Sequence, residues 1–340
     1  MTPRFFLICL GFGFHFVQAS AVQAQSQSAA EFYRGRPVRV IVPTGVGGSV
    51  ALYGRLFADH FARHVPGAQA AIFSTMPGAG GVASVEYVSN VAPRDGTVIG
   101  QIMSQTLLVP MIRPAGFDPL KLKWIGSLAS RPGVVGVWAS AKVKSLSDAK
   151  QFESILAASG IGAGNYQIPF MANLVIGTKF KLVTGYKSAA DMNMALERNE
   201  VDGRFNYWSG WTSVKPDWIR DGKLRFLFRT GPHVDGMPDV PSLADLTSSE
   251  NDRLAVKLLE APDEVGVAFY VSSEVPEDRV SLLRKAFVEM LDDKNFKEEA
   301  GKLEIPIDFV PYEKIESTLR AIYGTPADVR ERLKPLLTVE

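Results

Sequence analysis

The sequence predicts an α/β protein in two lobes, each built on a mixed, mostly parallel sheet flanked by helices. Three observations predict it. The chain has 340 residues, enough for about two domains at roughly 150 residues each. Short β-branched runs alternate with amphipathic helical stretches. Glycine-rich turns stand where strands hand over to helices.

The first unit is the clearest. Val38-Arg39-Val40-Ile41-Val42 is β-branched and closes at Pro43, and the glycine turn 44–49 follows. From Ser49 a helical face recurs at Tyr53, Phe57, Phe61 and Val65, broadened by Leu52 and Leu56. A second turn, Met76-Pro77-Gly78-Ala79-Gly80-Gly81, enters a helix expected to run to about Val91. Residues 98–103 and 134–138 read as strands. Ser145 or Ser147 caps a helix expected to carry Phe152, Ile155 and Leu156. Later strands are expected at 181–184, 201–205, 224–228 and 267–271, and closing helices at 279–292, 312–323 and 326–337. The Pro- and Gly-rich segment 231–241 reads as a return to the first lobe. The expected division is lobe 1 from 32–135 plus 233–340, and lobe 2 from 136–232. No long repeat, low-complexity tract or charge run interrupts it.

Composition narrows function. Lys plus Arg number 37 against 36 Asp plus Glu, a formal charge of +1, so there is no basic surplus for phosphate backbones and no nucleic-acid partner is expected. With 46% hydrophobic and 21% charged residues, the chain can bury a core and is not of disordered type. Residues 1–24 read as a signal peptide: Arg4 is the basic start, 5–17 is apolar apart from His15, and small residues place cleavage after Ala21 or Ala24. The apolar run is shorter than the about 20 residues of a membrane span; a short uncleaved anchor is the alternative. Cys9 is a poor lipoprotein site, since it comes early and follows Ile8. Cleavage after Ala24 leaves acidic and basic side chains equal in number and no thiol. No disulfide framework or thiolate metal site is then possible.

The glycine turns point to an anion site. A turn that ends at a helix N-terminus presents unpaired N–H groups and the positive end of the helix dipole. Turns 44–49 and 77–82 do this, and Gly160-Ile161-Gly162-Ala163-Gly164-Asn165-Tyr166 can do the same from the second lobe; simple tight turns are the alternative. Gly45-Val46-Gly47-Gly48 is a poor dinucleotide fingerprint, with Val50 at the third glycine position. His60 and His64 have i, i+4 spacing, but Phe61 stands where a metalloprotease has Glu, so a polar helix face is expected and no metal. No G-x-S-x-G elbow and no surviving Cys nucleophile supports an enzyme, and no cofactor is expected. Phe205-Asn206-Tyr207-Trp208-Ser209-Gly210-Trp211 suits either a small-molecule cleft wall or ordinary core.

These motifs, in order, resemble the substrate-binding proteins of tripartite tricarboxylate transporters, the Bug receptors. The landmarks are Arg36-Pro37-Val38-Arg39-Val40-Ile41-Val42-Pro43 with Gly47-Gly48 and Arg55, Pro77-Gly78-Ala79-Gly80-Gly81, Ala92-Pro93-Arg94-Asp95-Gly96-Thr97 and Gly185-Tyr186-Lys187. Glu200-Val201-Asp202-Gly203, Asp221-Gly222-Lys223-Leu224-Arg225 and Met237-Pro238-Asp239-Val240-Pro241 complete them, so the resemblance spans residues 33–337. It implies a two-lobe type II periplasmic-binding-protein fold: an exported, periplasmic, monomeric receptor that closes on a small organic carboxylate and delivers it to membrane permease subunits. A module feeding a membrane sensor, or a secreted hydrolase, is the alternative.

The resemblance places ligand binding on Thr44, Val46, Gly47, Gly48 and Ser49, on Gly78, Ala79, Gly80 and Gly81, on Ser104, and on Gly164, Asn165 and Tyr166. Tyr186, Asn206 and Trp208 join them as readers of the rest of the ligand. Main-chain nitrogens, rather than a charged side chain, are expected to grip the carboxylate. Ala51 stands where many relatives carry Asp, which disfavours an amino-acid ligand. The third loop departs too, with Tyr166-Gln167-Ile168-Pro169-Phe170 in place of a Ser/Thr-rich run.

Overall fold

The computed structural model describes Met1 and residues 28–337; apart from Met1, the signal peptide expected at 1–24, with Cys9 and both cleavage positions, lies outside the described residues. Ten strands occur: β1 Val38–Val42, β2 Ala71–Thr75, β3 Val98–Gln101, β4 Lys123–Ser127, β5 Gly133–Trp138, β6 Ser154–Ala157, β7 Phe180–Val183, β8 Gly203–Tyr207, β9 Leu224–Thr230 and β10 Ala268–Val271. They form two five-stranded sheets, ordered β2-β1-β3-β10-β4 and β7-β6-β8-β5-β9.

Each sheet has four strands running one way and a fifth inserted against them. β10 is antiparallel to both β3 and β4, and β5 to both β8 and β9; the remaining pairings are parallel. The inserted strand is, in each sheet, the one that arrives from the other sheet. The two lobes therefore repeat one topology, although no repeat is visible in the sequence. Sheet membership puts the first crossing at residues 128–132, just before β5, where the expectation drew the boundary at 135/136.

Strand alternation explains the layering. In β1, Val38, Val40 and Val42 join one apolar cluster with Tyr53, Phe57 and Phe269, while Ile41 joins another on the opposite face with Val85 and Tyr270. The helix Ser49–Phe61 covers the first face through rings that stack, Phe57 on Phe269 at 3.9 Å between centroids. A third cluster in the second lobe gathers Trp208, Trp211 and Trp218.

Two local expectations are corrected. Ser145 does cap a helix, with a full capping box, but the helix ends at Gln151 and Ile155 and Leu156 belong to β6, where β7 and β8 pair with them. His60 is not on a polar face: it is buried, edge-on to Phe296, with its Nε2 2.6 Å from Glu299, because the helix Lys294–Lys302 covers that side. His64 pairs separately with Asp293 at 3.1 Å.

Candidate ligand site between the lobes

The lobes meet along the two glycine turns. Gly45 N donates to Lys187 O at 2.9 Å, and a Cβ on Gly47 or Gly48 would come within 2.6 or 2.5 Å of the Cβ of Ala190 or Ala189. The second turn seats on the third. Ala79, Gly80 and Gly81 all have positive φ, at 47°, 66° and 99°, and a Cβ on Gly80 would lie 2.6 Å from Ala163 N. Thr106 Oγ1 donates to Gly80 O at 3.0 Å, with Gly162 O 3.4 Å away. Tyr207 OH, from β8, donates to Gln105 Oε1 across the same gap.

Between these contacts lies a cavity of about 40 Å³, space for a few waters; a larger guest enters only as the lobes part. Three helix N-termini reach it. Gly48, Ser49 and Val50 open the helix Ser49–Phe61, Gly164 and Asn165 open Gly164–Ile176, and Ala189 and Met192 lie in the first turns of Ala189–Glu197. The first two helices have no side-chain cap. Thr44, Met103, Ser159 and the β8 run Arg204, Phe205, Asn206 and Tyr207 complete the wall with Arg131 from the crossing between sheets. No acidic side chain is among these lining residues.

Of the residues picked from sequence, Thr44, Gly48, Ser49, Gly164, Asn165 and Asn206 line this cavity. Asn165 is turned to its own loop, accepting from Ser159 N and donating to Ser159 Oγ, both at 3.0 Å. The others lie elsewhere. Val46 is exposed, and Gly47 rests on the helix that begins at Ala189. Ala79 and Gly80 form the lobe-to-lobe seat against Gly160, Gly162 and Ala163, while Gly78 and Gly81 close the turn within the first lobe, Gly81 N donating to Gly78 O at 2.9 Å. Ser104 is buried and donates to Gly266 O at 3.0 Å. Tyr166 is buried and stacks on Phe170. Trp208 sits in the tryptophan cluster, with Tyr186 against it. Ala51 is buried in the first-lobe core and does not reach the cavity.

Both charged lining residues, like Met103, Ser159, Ala189 and Met192, were not singled out from the sequence. Arg131 and Arg204 are 2% and 1% exposed. Arg131 Nη2 donates to Ser49 Oγ at 2.8 Å, and its guanidinium lies 3.8 Å from the Tyr207 ring centre. Burial lowers its pKa; Tyr207, Tyr53 and Asp263 act in the opposite sense. Arg204 stands over Trp211 at 4.8 Å, and its Nε and Nη2 have no hydrogen-bond partner among the described residues. Burial alone pulls its pKa down to about 9, so it remains charged at neutral pH. The nearby carboxyl of Asp263 is spent on Gln105 Nε2 at 2.6 Å and Thr230 Oγ1 at 3.5 Å, and burial raises its pKa well above the usual range.

A two-lobe α/β body with a polar cavity where the lobes meet is the architecture of periplasmic binding proteins. Among solved structures it is similar to the periplasmic binding protein BugD, with TM-score 0.70 and 20% identity over 89% of this chain and 98% of that one. MatC from Rhodopseudomonas palustris, solved with bound malate, aligns with TM-score 0.66 and 18% identity over 88% and 98% of the two chains. In sequence the chain is 27% identical to a UPF0065 protein of Cupriavidus necator over 235 residues, 67% of this chain and 68% of that protein. It is 24% identical to a UPF0065 protein of Bordetella bronchiseptica over 223 residues, 64% of each. No protein-family model matches. These relatives agree with the resemblance read from the motifs: the curated ones are UPF0065 proteins, of the Bug family, and the fold is similar to that of BugD. BugD is a binding protein, and MatC was solved with its ligand in place. No helix among the described residues is long and apolar enough to cross a membrane.

Proposed function

We propose that this chain is an exported, monomeric solute receptor that closes its two lobes on a small organic carboxylate and hands it to membrane permease subunits. The observation that carries the reading is one cavity on which three helix N-termini and two buried guanidinium groups converge, with no acid in its lining. Helix N-termini favour anions, and a hydrogen bond to an ionised partner contributes about 1.5–3 kcal/mol. Three such bonds, less the cost of ordering the ligand and closing the lobes, suit micromolar binding, near −8 kcal/mol. The malate in MatC supports the same ligand class. Closure makes the surface that the permease reads, and the ligand drives it by binding the closed form better than the open one.

A melting-temperature panel of mono-, di- and tricarboxylates on the mature protein tests this. A ligand at 100 times its dissociation constant adds about 2.7 kcal/mol and raises the melting temperature. No shift with any carboxylate overturns the reading. Loss of uptake of that carboxylate on deleting the gene tests delivery.

A further inference from the structure

A buried guanidinium with two free N–H groups is costly unless something anionic meets it. In Arg204 the two unpartnered nitrogens are Nε and Nη2, both sealed from solvent in this closed form. These lie on one edge of the planar group and project parallel N–H bonds, the fork that a carboxylate accepts side-on. Trp211 beneath offers a ring face but no acceptor. Arg131, on the same cavity, spends one N–H on Ser49 and leaves Nε without a partner. Asn206 stands two residues beyond Arg204 on β8, hence on the same side of the strand, and its Nδ2 is also unpartnered. The wall thus carries two positive charges and no negative one.

We propose that Arg204 and Arg131, rather than the glycine-turn amides, carry charge recognition at this site and make it select a dianion over a monoanion. One carboxylate lies against the Nε–Nη2 edge of Arg204, with Asn206 Nδ2 beside it, and Arg131 neutralises the second charge. Resting on the receptor reading above, this names the groups that read the ligand's charge. Asp263 acts on Arg131 from outside the wall, but its carboxyl oxygens are taken by Gln105 and Thr230, and burial alone shifts Arg204.

Titration calorimetry at pH 7.5 on the mature protein tests it, with succinate, glutarate and adipate set against butyrate, valerate and hexanoate of matched length. At least one dianion binds ten or more times tighter than its monoanion. Arg204→Lys keeps the charge, loses the fork, and weakens that dianion at least tenfold. Arg131→Gln removes the preference for dianion over monoanion. Asn206→Asp leaves both arginines in place, sets a carboxylate beside Arg204, and weakens the dianion at least tenfold. This variant decides the matter if the arginine variants do not fold. Equal affinity for matched mono- and dianions, or unchanged dianion affinity in Arg204→Lys or Asn206→Asp at wild-type melting temperature, overturns the arginine assignment and leaves the receptor reading standing. An absence of binding by every carboxylate overturns both.

Discussion

The two glycine turns of the first lobe look alike in sequence and end in different surroundings. The turn 44–49 opens an uncapped helix whose first residues line the cavity. The turn 77–81 folds through three consecutive positive-φ residues and rests its backbone on Gly162 and Ala163 of the other lobe. Glycine is needed in both, for different reasons. In the first it lets helix 189–197 come close; in the second it allows both the left-handed backbone and main-chain contact. One turn makes part of the cavity wall, and the other is a seat between the lobes.

Gly80→Ala breaks that comparison hardest. The new Cβ meets the backbone nitrogen of Ala163 at 2.6 Å, which cannot swing away as a side chain does. A steric penalty of about 1–3 kcal/mol falls on the closed form alone, so ligand affinity drops about 5- to 150-fold. The left-handed backbone adds about 1–2 kcal/mol to open and closed forms alike, lowering the melting temperature of the ligand-free protein too. Calorimetric binding and a ligand-free melt separate the two costs. Full affinity in this variant means that the seat is not used in the bound state.

Gly48→Ala has a milder effect. Its φ is −137°, so no backbone strain arises, and the new methyl meets the Ala189 side chain at 2.5 Å rather than backbone. Affinity falls about tenfold, or about 1.4 kcal/mol, and the ligand-free melt stays within about 0.5 kcal/mol of wild type. Because this methyl also narrows the wall, longer ligands lose more than shorter ones, whereas Gly80→Ala weakens all of them equally. A Gly48→Ala loss that ignores ligand length removes Gly48 from the wall.

Much of this was legible in the sequence, and the rest fails for physical reasons. β1 was plain because Val38, Val40 and Val42 alternate with a single exposed Arg39. β2 and β4 were missed because they are edge strands: β2 is half exposed, and Lys123-Trp124-Ile125-Gly126-Ser127 lacks a β-branched run. The glycine turns were recognised as pieces, but which one meets ligand depends on where the other lobe stands. Arg204 shows the limit best. In sequence it resembles Arg39, a lone arginine inside an apolar strand, yet Arg39 is exposed on β1 and Arg204 is buried in β8. Trp211, on the helix Trp208–Thr212, lies against Arg204 at 4.8 Å and helps to cover it. An arginine between Gly203 and Phe205 in a strand expected to be buried was the available signal.

A pH experiment sets a buried carboxyl outside the cavity against both turns. Glu260 lies at the end of the helix Glu250–Glu260, away from the cavity, with Oε1 unpartnered. Burial raises its pKa from 4.5 to about 7; the Gly231 amide, Arg229 and Lys257 pull it down, and Asp245 pushes it up. The native state therefore holds a proton that the unfolded chain releases. That contribution is fully present below about pH 4.5 and is lost as pH rises through about 7. Glu260→Gln keeps an acceptor for the Gly231 amide and carries no charge. It is expected to stabilise the protein by about 1 kcal/mol at pH 8, allowing for screening of a partly exposed carboxyl, and by nothing at pH 4. Asp263, shifted the same way, keeps part of the pH dependence in the variant. Neither glycine contact contains a titratable group, so Gly80→Ala and Gly48→Ala keep the wild-type dependence while Glu260→Gln flattens it. Denaturant melts at pH 4, 6 and 8 check this, and an equal gain at all three would place the carboxyl in solvent.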